Sequence, residues 1–152
     1  MSIAEQLLES PYREALVADA TVVLNSEVAD KRGLSGKFVK AGFAMVKGFK
    51  PGFIPHAIDD LLGDFVRQIE PFYLRWKESG SSQSCSAYFV ANGPSVADAL
   101  LAITDERAKR SVNRTLVKTY NKLRPKGKEH VISSMPRVGD LIAKHASALE
   151  SA

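Results

Sequence analysis

The chain has 152 residues and a mass of 16.6 kDa, with 45% hydrophobic and 25% charged positions. Those proportions fit one soluble globular domain and argue against a collagen-like, disordered or disulfide-stapled chain; no apolar run approaches the ~20 residues that span a bilayer. The net charge is only +4, too mild to assign a partner class by itself.

A chain of this size buries roughly two thirds of its unfolded surface, so it is expected to fold without metal, cofactor or disulfide. The lone Cys85 cannot pair internally, which favours a reducing, cytoplasmic setting. Met1-Ser2-Ile3-Ala4-Glu5 lacks a basic n-region and a long apolar stretch, so no signal peptide is expected.

Helical periodicity dominates and no strand pattern stands out. Ser2 with Glu5 reads as a capping box for a short first helix. Ser10-Pro11 reads as an N-cap followed by Pro at the first helical position. Leu16, Ala20, Leu24 and Val28 then carry a helix to about Lys31, with Gly33 as its stop. Ser35 is expected to cap the next helix, in which Phe38, Val39, Gly42, Phe43, Met45, Val46 and Phe49 fill one broad arc opposite Lys37, Lys40 and Lys47. Burial of that arc in the core is the expectation; a membrane-surface helix and an apolar ligand cavity are the alternatives.

Near Pro55 a third helix begins, with Ile58, Leu61, Leu62, Phe65, Val66 and Ile69 at i, i+3, i+4 spacing. It is expected to sit centrally, with the 36–49 helix beside it. Pro71 should kink or restart it. Residues 79–86, serine-rich and polar, read as a flexible loop containing an exposed Cys85. Ser95 and Asp98 read as a second capping box. Val112, Leu116, Tyr120 and Leu123 have helical spacing, and Pro125-Lys126-Gly127 should break the chain again. Val131, Met135, Val138, Ile142 and Leu149 form the final apolar side, divided by Pro136. The expected fold is an all-α compact single domain over 1–152, a bundle of five to seven helices interrupted by Pro71, Pro94, Pro125 and Pro136.

The positive charge is concentrated. Residues 31–50 hold Lys31, Arg32, Lys37, Lys40, Lys47 and Lys50 and no acid; residues 107–128 hold Arg107, Lys109, Arg110, Arg114, Lys118, Lys122, Arg124, Lys126 and Lys128 and no acid. Such asymmetry sets up a field that attracts anions.

Two groups of residues are candidate sites. Gly33-Leu34-Ser35-Gly36-Lys37 comes nearest to a phosphate cradle: a helix capped at Ser35 would present the amides of Gly36, Lys37 and Phe38, with Lys37 and Lys40 adding charge. The Walker A spacing is missing, and a plain connection between two helices is the alternative. Arg110, Arg114, Lys118 and Lys122 recur every four residues, joined by Arg107. One helix across 107–123 would line them into a basic ridge with roughly 6 Å between neighbours. Such a ridge can be a solvated face, or can meet an acidic protein surface (a second copy included), nucleic acid or anionic lipid. No zinc finger, RNP pair or KH loop supports sequence-specific reading, so nucleic-acid binding would be backbone-led.

Other features carry less. His56, Asp60 and Asp64 share a helical face but lack further ligands for a metal. His130 and His145 are isolated in sequence, and His145 falls on an apolar side. Cys85 has no neighbouring positive charge to activate it. No catalytic constellation emerges, and no catalytic or metal-binding residue is assigned.

Gly33-Leu34-Ser35-Gly36, Lys40-Ala41-Gly42-Phe43, Val46-Lys47, Lys50-Pro51-Gly52-Phe53, Ala99-Leu100-Leu101-Ala102-Ile103-Thr104-Asp105 and Lys122-Leu123-Arg124-Pro125-Lys126-Gly127-Lys128 together resemble an uncharacterised family of bacterial proteins of about this length, a domain of unknown function. The resemblance implies one cytosolic domain and transfers no activity, cofactor or site. On sequence, then, the leading expectation is a non-enzymatic binding or scaffold protein whose cationic surface meets an acidic protein partner or a second copy. A nucleic-acid-associated protein and an anion-ligand binder or enzyme at 33–40 are the alternatives. No integral membrane association is expected.

Overall fold

A computed structural model describes residues 1–80 and 82–151. It contains eight helices and, among the described residues, no strand: α1 (Ile3–Leu7), α2 (Tyr12–Asp30), α3 (Gly33–Lys47), α4 (Phe53–Glu78), α5 (Cys85–Ala91), α6 (Gly93–Arg110), α7 (Arg114–Ser133) and α8 (Met135–Glu150). The all-α expectation holds, with more helices than the five to seven expected. The extra divisions come from capping chemistry. Asn113 ends the interruption after α6 by accepting the Leu116 amide at 3.0 Å, and Ser84 opens α5 by accepting the Ala87 amide at 3.0 Å. Residues 85 and 86 therefore belong to a helix, not to the serine-rich loop.

The prolines act differently by position. Pro94 and Pro136 lie in the first turns of α6 and α8, where a missing N–H costs nothing. Pro71 and Pro125 lie inside α4 and α7, which run through them. Both rings are exposed, as are the residues four positions earlier, Arg67 and Asn121, so the carbonyls left without a donor face solvent. The breaks expected at these two positions are absent for that reason.

Other starts also shift. The Ser2–Glu5 capping box forms. Pro11, after a cis Ser10–Pro11 bond, takes the N-cap position of α2. Asn92 precedes α6 in place of Ser95.

The core lies where α1, α4, α5, α6 and α8 meet. Leu7, Tyr73, Phe89, Val96 and Met135 are its largest fully buried side chains, each contributing roughly 1.5–3 kcal/mol. Backbones touch where α5 crosses α8: a Cβ on Gly139 would sit 2.6 Å from Ser86 Cα. α4 is central, contacting α1, α2, α3, α5 and α6. His145 is buried on α8, its Nε2 2.7 Å from Asp19 Oδ2 on α2.

α3 and α7 form a thinner layer outside this core. Gly36 is the buried residue of α3 and Thr119 that of α7. The broad apolar arc expected to enter the core is split. Val39, Gly42, Phe43 and Val46 are half-buried, whereas Phe38, Met45 and Phe49 are exposed. α3 meets α7, α2 and α4, and these neighbours together cover only part of so wide an arc. No helix among the described residues is long and apolar enough to cross a membrane.

Candidate functional site

The Gly33–Lys40 segment does not form the expected cradle. α3 starts at Gly33, whose φ of 72° needs the left-handed region, and Arg32 precedes it without a side-chain cap. Ser35 thus lies within the first turn, and its Oγ is 2.7 Å from His130 Nε2 on α7. Gly36 is pressed against the end of α2: a Cβ there would meet the Lys31 carbonyl carbon at 2.7 Å. Ser35 and Gly36 are packing residues, and Lys37 and Lys40 point to solvent.

Beneath that turn lies a polar knot. Lys31 Nζ donates to Ser133 Oγ at 2.6 Å and to Glu27 Oε2 at 3.2 Å. Glu27 also accepts from Arg137 at 2.9 Å. Burial, and then the nearby Lys31 charge, hold the His130 imidazole below its ordinary pKa. The hydroxyl–imidazole pair has nucleophile–base geometry, but neither residue lines the grooves along α7, between α4 and α6, between α2 and α4 or between α3 and α7.

The basic ridge is interrupted. Residues 111–113 separate Arg107 and Arg110 on α6 from Arg114, Lys118 and Lys122 on α7. Arg107 is bound by its own chain, donating to Asp60 Oδ2 at 2.8 Å and Asp64 Oδ2 at 3.1 Å. That contact also explains the His56/Asp60/Asp64 face: its carboxylates hold an arginine, and no cluster suited to a metal ion occurs among the described residues. Arg110 lies 3.7 Å from Glu106. Further along, Arg124 grips Asp105 through Nε and Nη2, while Lys126 and Lys128 pair with Glu129 and Asp98. Arg124, and then Tyr120, hold the Asp105 carboxyl below its usual range.

What the fold does bring together is α3 and the first half of α7. The two run antiparallel: Ser35 meets His130, Gly42 faces Leu123, and the Thr119 hydroxyl lies 3.2 Å from Met45 Sδ. A Cβ on Gly42 would approach Leu123 Cδ1 to 2.8 Å, so the helices meet closely at this crossing. Between them runs a groove of about 440 Å³, lined by Phe38, Ala41, Gly42, Met45, Thr115, Lys118, Thr119, Lys122 and Leu123.

Two properties set this face apart. Leu34, Phe38, Ala41 and Met45 recur at i, i+4, i+7 and i+11 and stand outward, with Leu34, Phe38 and Met45 exposed by 86%, 50% and 57%. Phe49 extends the apolar surface and meets Phe53 edge-on. Moreover, Lys37, Lys40, Lys47, Lys50, Arg114, Lys118 and Lys122 make no ion pair among the described residues, and neither do Arg32 and Lys109. Elsewhere every lysine and arginine except Arg75, which lies over the Phe72 ring, has a carboxylate of its own chain within 4.0 Å. Unpaired cations are thus concentrated on α3, the turn that follows it and the first half of α7, with Lys118 and Lys122 lining the groove itself.

The remaining candidates are structural. Cys85 is buried at the start of α5, not exposed, and burial followed by the Asp140 charge pushes its thiol up to about 11. His145 is a satisfied histidine at the core edge.

A family model matches residues 3–146, and its description is a family of unknown function, DUF6918. The chain belongs to this family. No curated protein and no solved structure matches it. The match covers α1 to α7 in full and α8 as far as residue 146, so the α3–α7 face lies within the family's common extent. Its apolar stripe was not separated from the core by sequence periodicity. The available signal was the width of the arc, larger than the neighbouring helices cover.

Proposed function

We propose that this protein is a non-enzymatic binding protein that holds an acidic protein partner on its α3–α7 face. The observation that carries this reading is that Lys37, Lys40 and Lys47 on α3 and Arg114, Lys118 and Lys122 in the first half of α7 make no own-chain ion pair among the described residues, whereas most other cations, Lys126 and Lys128 further along α7 included, are paired. Unpaired cations of one sign on one face raise the local concentration of anionic partners and speed their encounter. The apolar stripe beside Lys118 and Lys122 favours protein over duplex nucleic acid, because phosphates offer no apolar surface to bury against Phe38 and Met45.

Fluorescence anisotropy of a labelled poly-glutamate peptide, titrated with the protein across a salt series, tests the reading. Wild-type protein should bind with an affinity that falls as salt rises. The K118E/K122E double variant should weaken binding about tenfold or more, while K77E, at the distant contact of Lys77 with Glu150, should leave it unchanged. No binding at low salt, or equal loss in both variants, refutes the proposal.

A further inference from the structure

Resting on that reading, we infer that the partner presents an amphipathic helix with acidic flanks, seated lengthwise in the groove between α3 and α7. The spacing of Leu34, Phe38, Ala41 and Met45 is the pattern by which one helix receives another: successive ridges on one face, a helical turn apart. From residue 34 to residue 45 the stripe extends about 16 Å at 1.5 Å per residue, which suits a partner helix of three to four turns. The groove is concave, bounded on one wall by α3 and on the other by α7, so it takes a rod better than a flat surface. Its charges stand on both sides. Lys118 and Lys122 line the α7 wall, and Lys37 stands on the outer flank of α3, clear of the α7 contact.

The complement follows directly. The seated helix carries leucine-like side chains at i, i+4, i+7 and i+11, which cover Leu34, Phe38 and Met45. Glutamate or aspartate on its two borders meets Lys37 on one side and Lys118 and Lys122 on the other. Apolar contact supplies the affinity and the two cationic borders set the orientation. The short helix α1 does not supply the partner, since its apolar residues Ala4 and Leu7 are buried in its own core.

The test uses the full-length protein and two synthetic 16-residue peptides of equal composition. One carries leucine at i, i+4, i+7 and i+11 with glutamate on the borders. The other has the same residues in an order without helical period. The periodic peptide should bind about tenfold more tightly, and its helicity by circular dichroism should rise on binding. L34S and F38S should each weaken the periodic peptide several-fold while leaving poly-glutamate binding intact. Because Leu34 is 86% exposed, L34S keeps the native fold, which a thermal melt checks.

Equal binding of both peptides, still lost in K118E/K122E, overturns the helix inference and leaves the acidic-partner reading standing. Failure of both peptides and of poly-glutamate overturns the two together. Binding only to phosphatidylglycerol vesicles, or only to single-stranded DNA, does the same and assigns the face to lipid or to nucleic acid.

Discussion

Ser35 and His130, on helices separated by most of the chain, meet side chain to side chain at 2.7 Å. This contact fixes the N-terminal turn of α3 to the C-terminal part of α7. The other tie at that end is the close packing of Gly36 on Lys31, since Arg32 offers no side-chain cap. The orientation of the candidate groove therefore depends on a hydroxyl–imidazole pair at one end and the Gly42–Leu123 crossing near its middle.

The pair gives the α3–α7 layer a pH dependence. Burial and then Lys31 lower the His130 pKa from an ordinary 6.5, so the folded state prefers the neutral ring more than the unfolded chain does. The unfolded chain binds more protons in the window just below that ordinary value, and stability falls there as pH falls. The contribution is complete above about pH 7 and is lost progressively on acidification toward the lowered folded value. Urea midpoints for wild type should drop between pH 7.5 and 5.5. H130Q retains a donor for Ser35 but cannot titrate, and should show a smaller drop. An identical pH profile in the two proteins would contradict this account.

Two glycines in α3 should respond oppositely to alanine. At Gly36 the new methyl meets the Lys31 backbone at 2.7 Å, and a backbone contact of that kind cannot yield without moving α3 from the end of α2. G36A should lose about 1–3 kcal/mol, the usual cost of overpacking. At Gly42 the nearest atom is the tip of Leu123, at 2.8 Å, which can rotate. There the roughly 1 kcal/mol gained in helix propensity offsets the strain, so G42A should be close to neutral. Urea unfolding of both variants checks the contrast, and equal losses would contradict it.

Much of this was legible in the residues, and the failures share one cause. The α4 pattern from Ile58 to Ile69 named a central helix because its apolar stripe is narrow and repeats without interruption. Ser2 with Glu5 named a cap because both partners are local. By contrast, the Phe38–Phe49 arc gave no sign of which half would find a neighbour, since that depends on where α7 lies. Ser35 and Gly36 read as a phosphate cradle because their actual partners, His130 and Lys31, are chosen by tertiary packing. Arg107 looked free until the fold brought Asp60 and Asp64 to it. Local rules place helices; the pairing of charges between helices needs the fold.

Cys85 should be inert in the native state. It is buried, and its thiol is pushed up to about 11 by burial and Asp140, so little thiolate is present at pH 8 and reagent access is blocked. A thiol-reactive chromogenic disulfide at pH 8 should leave the folded protein unmodified on a timescale that fully labels the urea-unfolded chain. Rapid labelling without denaturant would mean that α5 opens readily from α8.

Pro125 offers a stabilising change. It lies in the interior of α7, where the ring lacks the N–H that would donate to the carbonyl of Asn121 and crowds that carbonyl besides. P125A restores the bond and removes the crowding, worth about 3 kcal/mol on the helix-propensity scale. Part of this is returned, about 0.4–1 kcal/mol, because alanine frees the unfolded chain. The net gain should be about 2–2.6 kcal/mol, raising the melting temperature by roughly 4–10 °C for a domain of this length. Pro136 is the control: it sits in the first turn of α8, where no hydrogen bond is missing, so P136A should gain nothing and lose a few tenths of a kcal/mol. A P125A variant no more stable than wild type would show that solvent already satisfies the Asn121 carbonyl and that the exposed ring imposes no net cost.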